Sequence, residues 1–209
     1  MIDLRSGSDR GRIYRVYRDE NKPRPIPDLH NRDTAQLVAA LDSPSGWQRD
    51  TAQRLLIHRG DPTAVEPLAK LLETSANPKA RLHALCALDG LGKLRLEQAL
   101  TGMRDPHPGV REHAIRVSEA LLHSGQGQAL GEALNRLVDD PEIRVRRQLA
   151  FSLGEWNSPV AGTLLARLTN RAGGEPELQT AIASSAVGHS VPILDQLFSG
   201  PHDTEKTQD

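Results

Sequence analysis

The chain has 209 residues and is long enough to bury a continuous core. Aromatic residues make up only 3% of it, so Leu, Val, Ile and Ala must fill that core, which favours packed helices over a β-sandwich. A formal net charge of -1 argues against nucleic acid or an anionic membrane as partner. The single cysteine, Cys86, excludes an internal disulfide and any multi-cysteine zinc site, and no apolar run is long enough to predict a membrane-spanning helix.

The first 31 residues do not follow the pattern of the rest of the chain. Residues 11–17, GRIYRVY, alternate polar and apolar side chains, which predicts a half-buried strand. The Pro-rich stretch NKPRPIPD at 21–28 predicts an extended linker. The charged N-terminus lacks the apolar segment of a secretion signal, so a complete chain is expected in the cytoplasm. Residues 200–209 have nothing to bury and are predicted to be a disordered tail.

Helical hairpins are predicted from residue 32 to residue 199. Five prolines recur at separations of 28 to 35 residues, an interval that holds two helices with short turns: Pro44, Pro78, Pro106, Pro141 and Pro176. Apolar stripes at helical spacing place five first helices, and Ser190 to Phe198 predicts one closing helix. The stripe of the fifth first helix consists of Val160, Leu164, Leu165 and Leu168. We therefore expect an all-α superhelix, a solenoid of about five helical hairpins with a short irregular N-terminal arm.

The second helices share a basic residue followed three positions later by a small or apolar one. These pairs are Arg49 and Ala52, Arg81 and Ala84, Arg111 and Ala114, and Arg146 and Leu149. Gln179 lies near the arginine position in the fifth hairpin. In the clearest copy, residues 139–156, Asp140 is predicted to cap the helix and Pro141 to occupy its first turn. Helical spacing places Trp156 at the end of the apolar core stripe of this copy.

The frame D-P-x-x-x-V-R-x-x-A, complete at Asp105 to Ala114 and nearly so from Asp140, resembles the HEAT repeat. The resemblance covers Arg32 to Phe198. It implies a hydrogen-bonded ladder between successive repeats, formed by an aspartate and the arginine six positions on. Asp105 with Arg111 and Asp140 with Arg146 match that pattern, whereas Ser43 and Ser75 occupy the aspartate position in the first two repeats, which predicts a weaker ladder there.

Two interpretations of the arginine column follow. Arg49, Arg81, Arg111 and Arg146 either form the interior polar ladder of the solenoid or line a concave surface that grips an acidic partner. The interior ladder is favoured, because patterned charges in a packed array are usually paired.

A second resemblance concerns the N-terminal part. The opening SDRGRIYRV at 8–16, the Pro-rich linker and residues 43–56 are similar to a junction in large planctomycete and verrucomicrobial membrane-bound dehydrogenase-like proteins. In these a sugar-dehydrogenase-type β-propeller precedes HEAT repeats and a c-type cytochrome module follows. The resemblance implies that residues 11–16 are the last propeller strand and that the chain is an extracytoplasmic middle piece. No Cys-x-x-Cys-His occurs, so haem cannot be attached covalently to this chain.

Other candidate residues do not predict catalysis. His83 and Cys86 lie at i, i+3 on one helix, but two ligands do not make a metal site. His107 and His113 lack a carboxylate at coordinating spacing. Ser184, Ser185 and His189 lack a nucleophile elbow and an acidic third member. No cofactor, metal site or catalytic residue is therefore predicted.

The most favoured function is a non-catalytic scaffold that binds a protein partner or neighbouring domains, and a monomer is expected. Trp47 either contacts that partner or caps the first repeat. The alternative is a HEAT linker segment of a larger dehydrogenase-like redox protein. HEAT-like bilin lyases and DNA glycosylases make an enzyme the less favoured possibility, and a glycosylase needs a basic groove with aromatic residues.

Overall fold

The computed structural model describes residues 16–20 and 25–199. Within these ranges the regular structure is helical, and no strand occurs there. The α-helices are α1 (Thr34–Ala40), α2 (Gly46–Arg59), α3 (Val65–Thr74), α4 (Pro78–Gly90), α5 (Leu96–Met103), α6 (Pro108–Val117), α7 (Glu119–Leu122), α8 (Gly127–Leu137), α9 (Ile143–Gly154), α10 (Pro159–Arg171), α11 (Pro176–Ser185) and α12 (Ser190–Ser199). One 3-10 turn, Pro62–Ala64, precedes α3.

The helices form five consecutive hairpins, which are α1 with α2, α3 with α4, α5 with α6, α8 with α9, and α10 with α11. The second helices α2, α4, α6, α9 and α11 pack side by side in one row, and α12 closes the array against α10. First helices of neighbouring hairpins contact each other much less. This side-by-side stacking of hairpins confirms the predicted α-α superhelix of about five hairpins.

One apolar core runs through all the hairpins. It is built of Leu, Ala, Val and Ile from one stripe of each helix, and it extends from Leu29 to Ile193. Small residues let the helices approach closely, since a Cβ added at Gly102 of α5 would lie 2.8 Å from the Cβ of Ala114 in α6. The aromatic residue Trp156 is buried at the end of the fourth hairpin, as the helical spacing predicted.

The start of α9 differs from the prediction. The helix begins at Ile143, so Asp140 is not its cap and Pro141 lies outside its first turn. Asp140 instead accepts the N–H of Glu142 at 3.0 Å in the turn before the helix. The predicted cap was wrong because the same carboxylate also binds an arginine of the preceding hairpin, which holds it away from the helix end.

Val160 also departs from its predicted place. It was assigned to the apolar core stripe of α10, but its side chain is 46% exposed. It lines an open groove between α8 and α10 and is therefore not covered by a neighbouring helix.

The predicted arm and tail fall largely outside the described residues. Residues 11–15 of the predicted strand and residues 200–209 of the predicted tail lie there, while Val16 and Tyr17 are exposed and not in a strand. Leu29 already belongs to the core, three residues before the predicted boundary at 32. Arg59 at the end of α2 donates to the carbonyls of His30 and Arg32, both at 2.6 Å, and so ties this segment to the first hairpin.

Candidate functional site

An arginine in the first turn of four second helices bonds to the loop that precedes its own helix. In each case Nη1 donates to the carbonyl oxygen six residues earlier. The four bonds are Arg49 to Ser43 (2.7 Å), Arg81 to Ser75 (2.8 Å), Arg111 to Asp105 (2.9 Å) and Arg146 to Asp140 (2.6 Å). This repeated bond holds each inter-helix loop against the helix that follows it.

The carboxylates of the ladder bind arginines of the preceding hairpin. Arg81 donates Nε to Asp105 Oδ2 at 2.6 Å and Nη2 to Asp105 Oδ1 at 2.7 Å. Arg111 makes the same two bonds to Asp140 at 2.7 and 2.8 Å. Asp105 and Arg111 of one motif therefore share only the backbone bond described above, and each aspartate side chain turns to the preceding repeat. Such bidentate ion pairs join successive hairpins with fixed geometry.

Both ion pairs are largely shielded from water. The side chains of Arg111 and Asp140 are 12% and 4% exposed. The hydrogen bonds that Arg111 donates to Asp140 raise the pKa of Arg111, and those that Arg81 donates to Asp105 raise the pKa of Arg81. Each guanidinium therefore stays charged at every accessible pH and can bind its aspartate across the boundary between two repeats.

The ladder continues into the fifth hairpin through a residue that the sequence analysis missed. Arg146 Nη2 contacts both carboxylate oxygens of Glu175, at 2.6 and 2.8 Å. Glu175 precedes Pro176, just as Asp105 and Asp140 each precede a proline, and this acid-Pro signal was the one available to find it. The ladder then ends in a neutral contact, from Gln179 Nε2 to a carbonyl oxygen in the preceding loop at 3.0 Å.

Each arginine of the ladder with its carboxylate forms one rung, and the first rung, at Arg49, lacks the carboxylate. Arg49 is 8% exposed, and Ser75 occupies the position that Asp105 has in the next repeat. Ser75 Oγ accepts the N–H of Asn77 at 3.1 Å, so the serine keeps the turn-forming bond of the aspartates and loses the bond to arginine. Arg49 Nε is buried without a hydrogen-bond partner among the described residues.

The second helices also carry exposed aromatic side chains. Trp47, at the start of α2, is 53% exposed, and Phe151 of α9 is 42% exposed. Trp47 lies two positions before the ladder arginine of α2, Arg49, and Phe151 lies five positions after the ladder arginine of α9, Arg146. These two offsets differ by seven residues, nearly two helical turns, so both side chains lie on the same side of the row of second helices. We call this surface the second-helix face, defined by Trp47, Arg54, Cys86, Arg116 and Phe151.

His83 and Cys86 each contact a side chain of a neighbouring second helix. His83 Nδ1 lies 2.6 Å from Gln53 Oε1 of the preceding hairpin, and Nε2 lies 3.8 Å from a carboxylate oxygen of Asp50. Burial lowers the pKa of His83 despite the attraction of Asp50, and burial raises the pKa of Cys86, whose sulfur lies 3.9 Å from Arg116 Nη2. Across residues 16–20 and 25–199, no three His, Cys, Asp or Glu side chains are grouped to hold a metal ion.

The remaining candidates serve local structure. His107 Nδ1 accepts the N–H of Gly109 at 3.1 Å at the start of α6, and His113 Nδ1 bonds the carbonyl of Gly109 at 2.9 Å. Ser184 donates to the carbonyl of Ala181 on its own helix at 2.8 Å. His189 is buried in the turn before α12.

A groove of about 770 Å³ lies away from the ladder, between α8 and α10. The indole of Trp156 lies against Gly127 and Gly131 there, and Asn135 and Ser158 are among the polar residues of the lining. It is an open surface depression.

Residues 34–119 match the family model described as HEAT repeats. The fold is a HEAT-like helical repeat. The matched stretch spans the first three hairpins. These contain the paired ladder arginines Arg81 and Arg111, and Arg49, which has no carboxylate partner among the described residues. Comparison with curated proteins finds no match.

Solved structures support the same HEAT-like architecture. An engineered protein from the Northeast Structural Genomics Consortium aligns with a TM-score of 0.55 and 18% identity, over 80% of this chain and 86% of its own. A designed armadillo repeat protein in complex with the peptide (KR)4 aligns with a TM-score of 0.52 and 16% identity, over 83% of this chain and 94% of its own. None of the described helices has the length and apolar content that a membrane span requires.

Proposed function

We propose that this HEAT-like chain is a non-catalytic scaffold that binds a protein partner on its second-helix face. The observation that carries the proposal is the exposure of Trp47 and Phe151 on that one face, in a chain with few aromatic residues. Aromatic side chains are enriched among the residues that dominate binding energy at protein interfaces. By contrast, Arg81, Arg111 and Arg146 are engaged inside the molecule and are not free to contact an acidic partner.

The ladder supports this function by making the surface rigid. Each ion pair joins adjacent hairpins, and the continuous core adds apolar contact between them. A partner that docks on a preformed surface loses less free energy to the ordering of side chains and loops. The designed armadillo neighbour, whose repeats stack in the same manner, is a protein in complex with a peptide. That supports protein binding as the use of such an array, and it does not identify the ligand of this chain.

Substitution of the two aromatic residues tests the proposal. Proteins captured by the purified chain are identified by cross-linking and mass spectrometry, and their affinities are measured for native protein and for Trp47→Ala/Phe151→Ala. The expected result is a loss of affinity of about tenfold or more, because truncation of an aromatic residue that dominates an interface costs about 2 kcal/mol or more and about 1.4 kcal/mol corresponds to tenfold.

The matched control is Val191→Ser/Leu194→Ser, which changes two exposed apolar residues of α12, outside the second-helix face. Circular dichroism establishes that both variants are folded. Partners that bind the aromatic variant as tightly as the native chain, or that are lost only in the control, would refute the face. Substrate turnover that depends on side chains of this chain would refute the non-catalytic role.

A second candidate is that the array spaces the domains of a larger dehydrogenase-like protein. The exposed Trp47 favours it, since this residue lies within the stretch 43–56 that resembles the propeller junction and belongs to the first hairpin. The test is the coding sequence on both sides of this chain. In-frame propeller and Cys-x-x-Cys-His segments support the spacer, and flanking stop codons exclude it.

A further inference from the structure

The ladder contains more buried cations than carboxylates. Four arginines occupy equivalent positions, but only Asp105, Asp140 and Glu175 supply acids, one to each arginine after the first. Among the described residues Arg49 is left with its backbone bond to Ser43 alone, and its Nε is buried without a partner. Arg146 Nε is also without a partner, but Arg146 Nη2 binds Glu175, so the missing carboxylate is what distinguishes Arg49. A buried guanidinium without a counter-charge is costly, so this rung is electrostatically incomplete.

The missing group is a carboxylate, and its place is known from the next rung. In the second rung, Asp105 presents two oxygens to Nε and Nη2 of Arg81 at 2.6 and 2.7 Å. Ser75 at the same position in the first rung lacks those two oxygens. On the other side, Gly46 has no side chain, and a Cβ there would lie 3.5 Å from Arg49 Nη2. Both sides of the guanidinium edge are therefore occupied by small residues.

We infer that the first rung binds a small oxyanion, a phosphate or a carboxylate group, against Nε and Nη2 of Arg49. The ligand replaces the aspartate that closes the equivalent contact in later repeats. Ser75 lies in the loop between α3 and α4, three residues before the first residue of α4, and the N-terminal end of α4 is capped by Asn77.

One acidic group faces this position. Asp42 accepts from Asn77 Nδ2 at 2.9 Å and from Ser75 Oγ at 3.4 Å. Its negative charge opposes an incoming anion, so Asp42→Asn is expected to tighten binding.

Thermal unfolding in the presence of inorganic phosphate tests the inference, with sodium chloride used to keep the ionic strength constant and with acetate as a second anion. The native protein is expected to show a saturable rise in Tm, about 5–10 °C at a hundredfold excess over the dissociation constant. Ser75→Asp supplies the missing carboxylate, so it is expected to be more stable without phosphate and to have lost the response. Ser75→Ala adds no carboxylate beside Arg49 and is expected to retain the response to phosphate.

A matched gain of binding comes from the third rung. Asp140→Ser removes the carboxylate from Arg111 and reproduces the arrangement at Arg49, so this variant is expected to respond to phosphate more strongly than native protein. If Ser75→Asp does not fold, Arg49→Gln replaces it and is expected to be insensitive to phosphate. No saturable rise in the native protein, or an equal rise in Ser75→Asp or Arg49→Gln, would overturn the inference. A rise with phosphate but not acetate assigns the site to phosphate groups, and an equal rise with both assigns it to oxyanions in general.

Discussion

Replacement of Arg111 by alanine tests whether the ladder holds the repeats together. The substitution removes two bonds to Asp140, at 2.7 and 2.8 Å, and two bonds to the carbonyls of Asp105 and Pro106. It leaves a carboxylate that is 4% exposed with only the N–H of Glu142 as donor. Breaking a buried pair on one side costs about 3–5 kcal/mol, which corresponds to a fall in Tm of about 6–20 °C for a chain of this size.

The assay is urea and thermal unfolding followed by circular dichroism, with Arg171→Ala as the control. Arg171 also pairs with an aspartate, Asp139, but the two side chains are 61% and 43% exposed, so its loss is expected to cost at most about 1 kcal/mol. Adding Asp140→Asn to Arg111→Ala removes the stranded charge and keeps the acceptor for the turn, so most of the lost stability is expected to return. A Tm of Arg111→Ala no lower than that of Arg171→Ala would show that the ladder does not stabilise the array. No recovery in the double variant would show that the stranded carboxylate is not the source of the loss.

Three further predictions concern packing and titration. Gly102→Ala is expected to lower the free energy of unfolding by about 1–3 kcal/mol, because the added Cβ would lie 2.8 Å from that of Ala114. The control Gly173→Ala, with nothing within 4 Å of the added Cβ, is expected to change it by less than about 0.5 kcal/mol, and equal effects in urea melts would contradict this. Burial lowers the pKa of His83 below its value of 6.5 in the unfolded chain, so the neutral form favours folding and stability is lost as pH falls below that value; His83→Gln should flatten this slope, and an unchanged slope would exclude His83 as its source. Burial raises the pKa of Cys86, so its thiol is expected to react about tenfold or more slowly with a disulfide reagent at neutral pH than in the unfolded chain, and equal rates would refute its protection.

The sequence alone determined the repeat architecture. Apolar stripes at helical spacing and a repeated proline and arginine were enough to predict five hairpins and a closing helix, because each hairpin is a local unit that packs mainly on its neighbours. Burial of Trp156 followed from the same spacing. The start of α9 was misplaced because an aspartate before a proline can serve a helix end, a turn or an arginine, and spacing does not distinguish these partners.

The tertiary structure alone decided how the repeats are connected. Arg111 and Asp140 are 29 positions apart, and their meeting depends on how far each hairpin is rotated and displaced from the one before it. The same stacking pairs Glu175 with Arg146, leaves Arg49 without a carboxylate and leaves Trp47 exposed. Helical periodicity is set within one helix by backbone geometry, whereas pairing and exposure depend on the neighbouring helix, whose position no local pattern specifies.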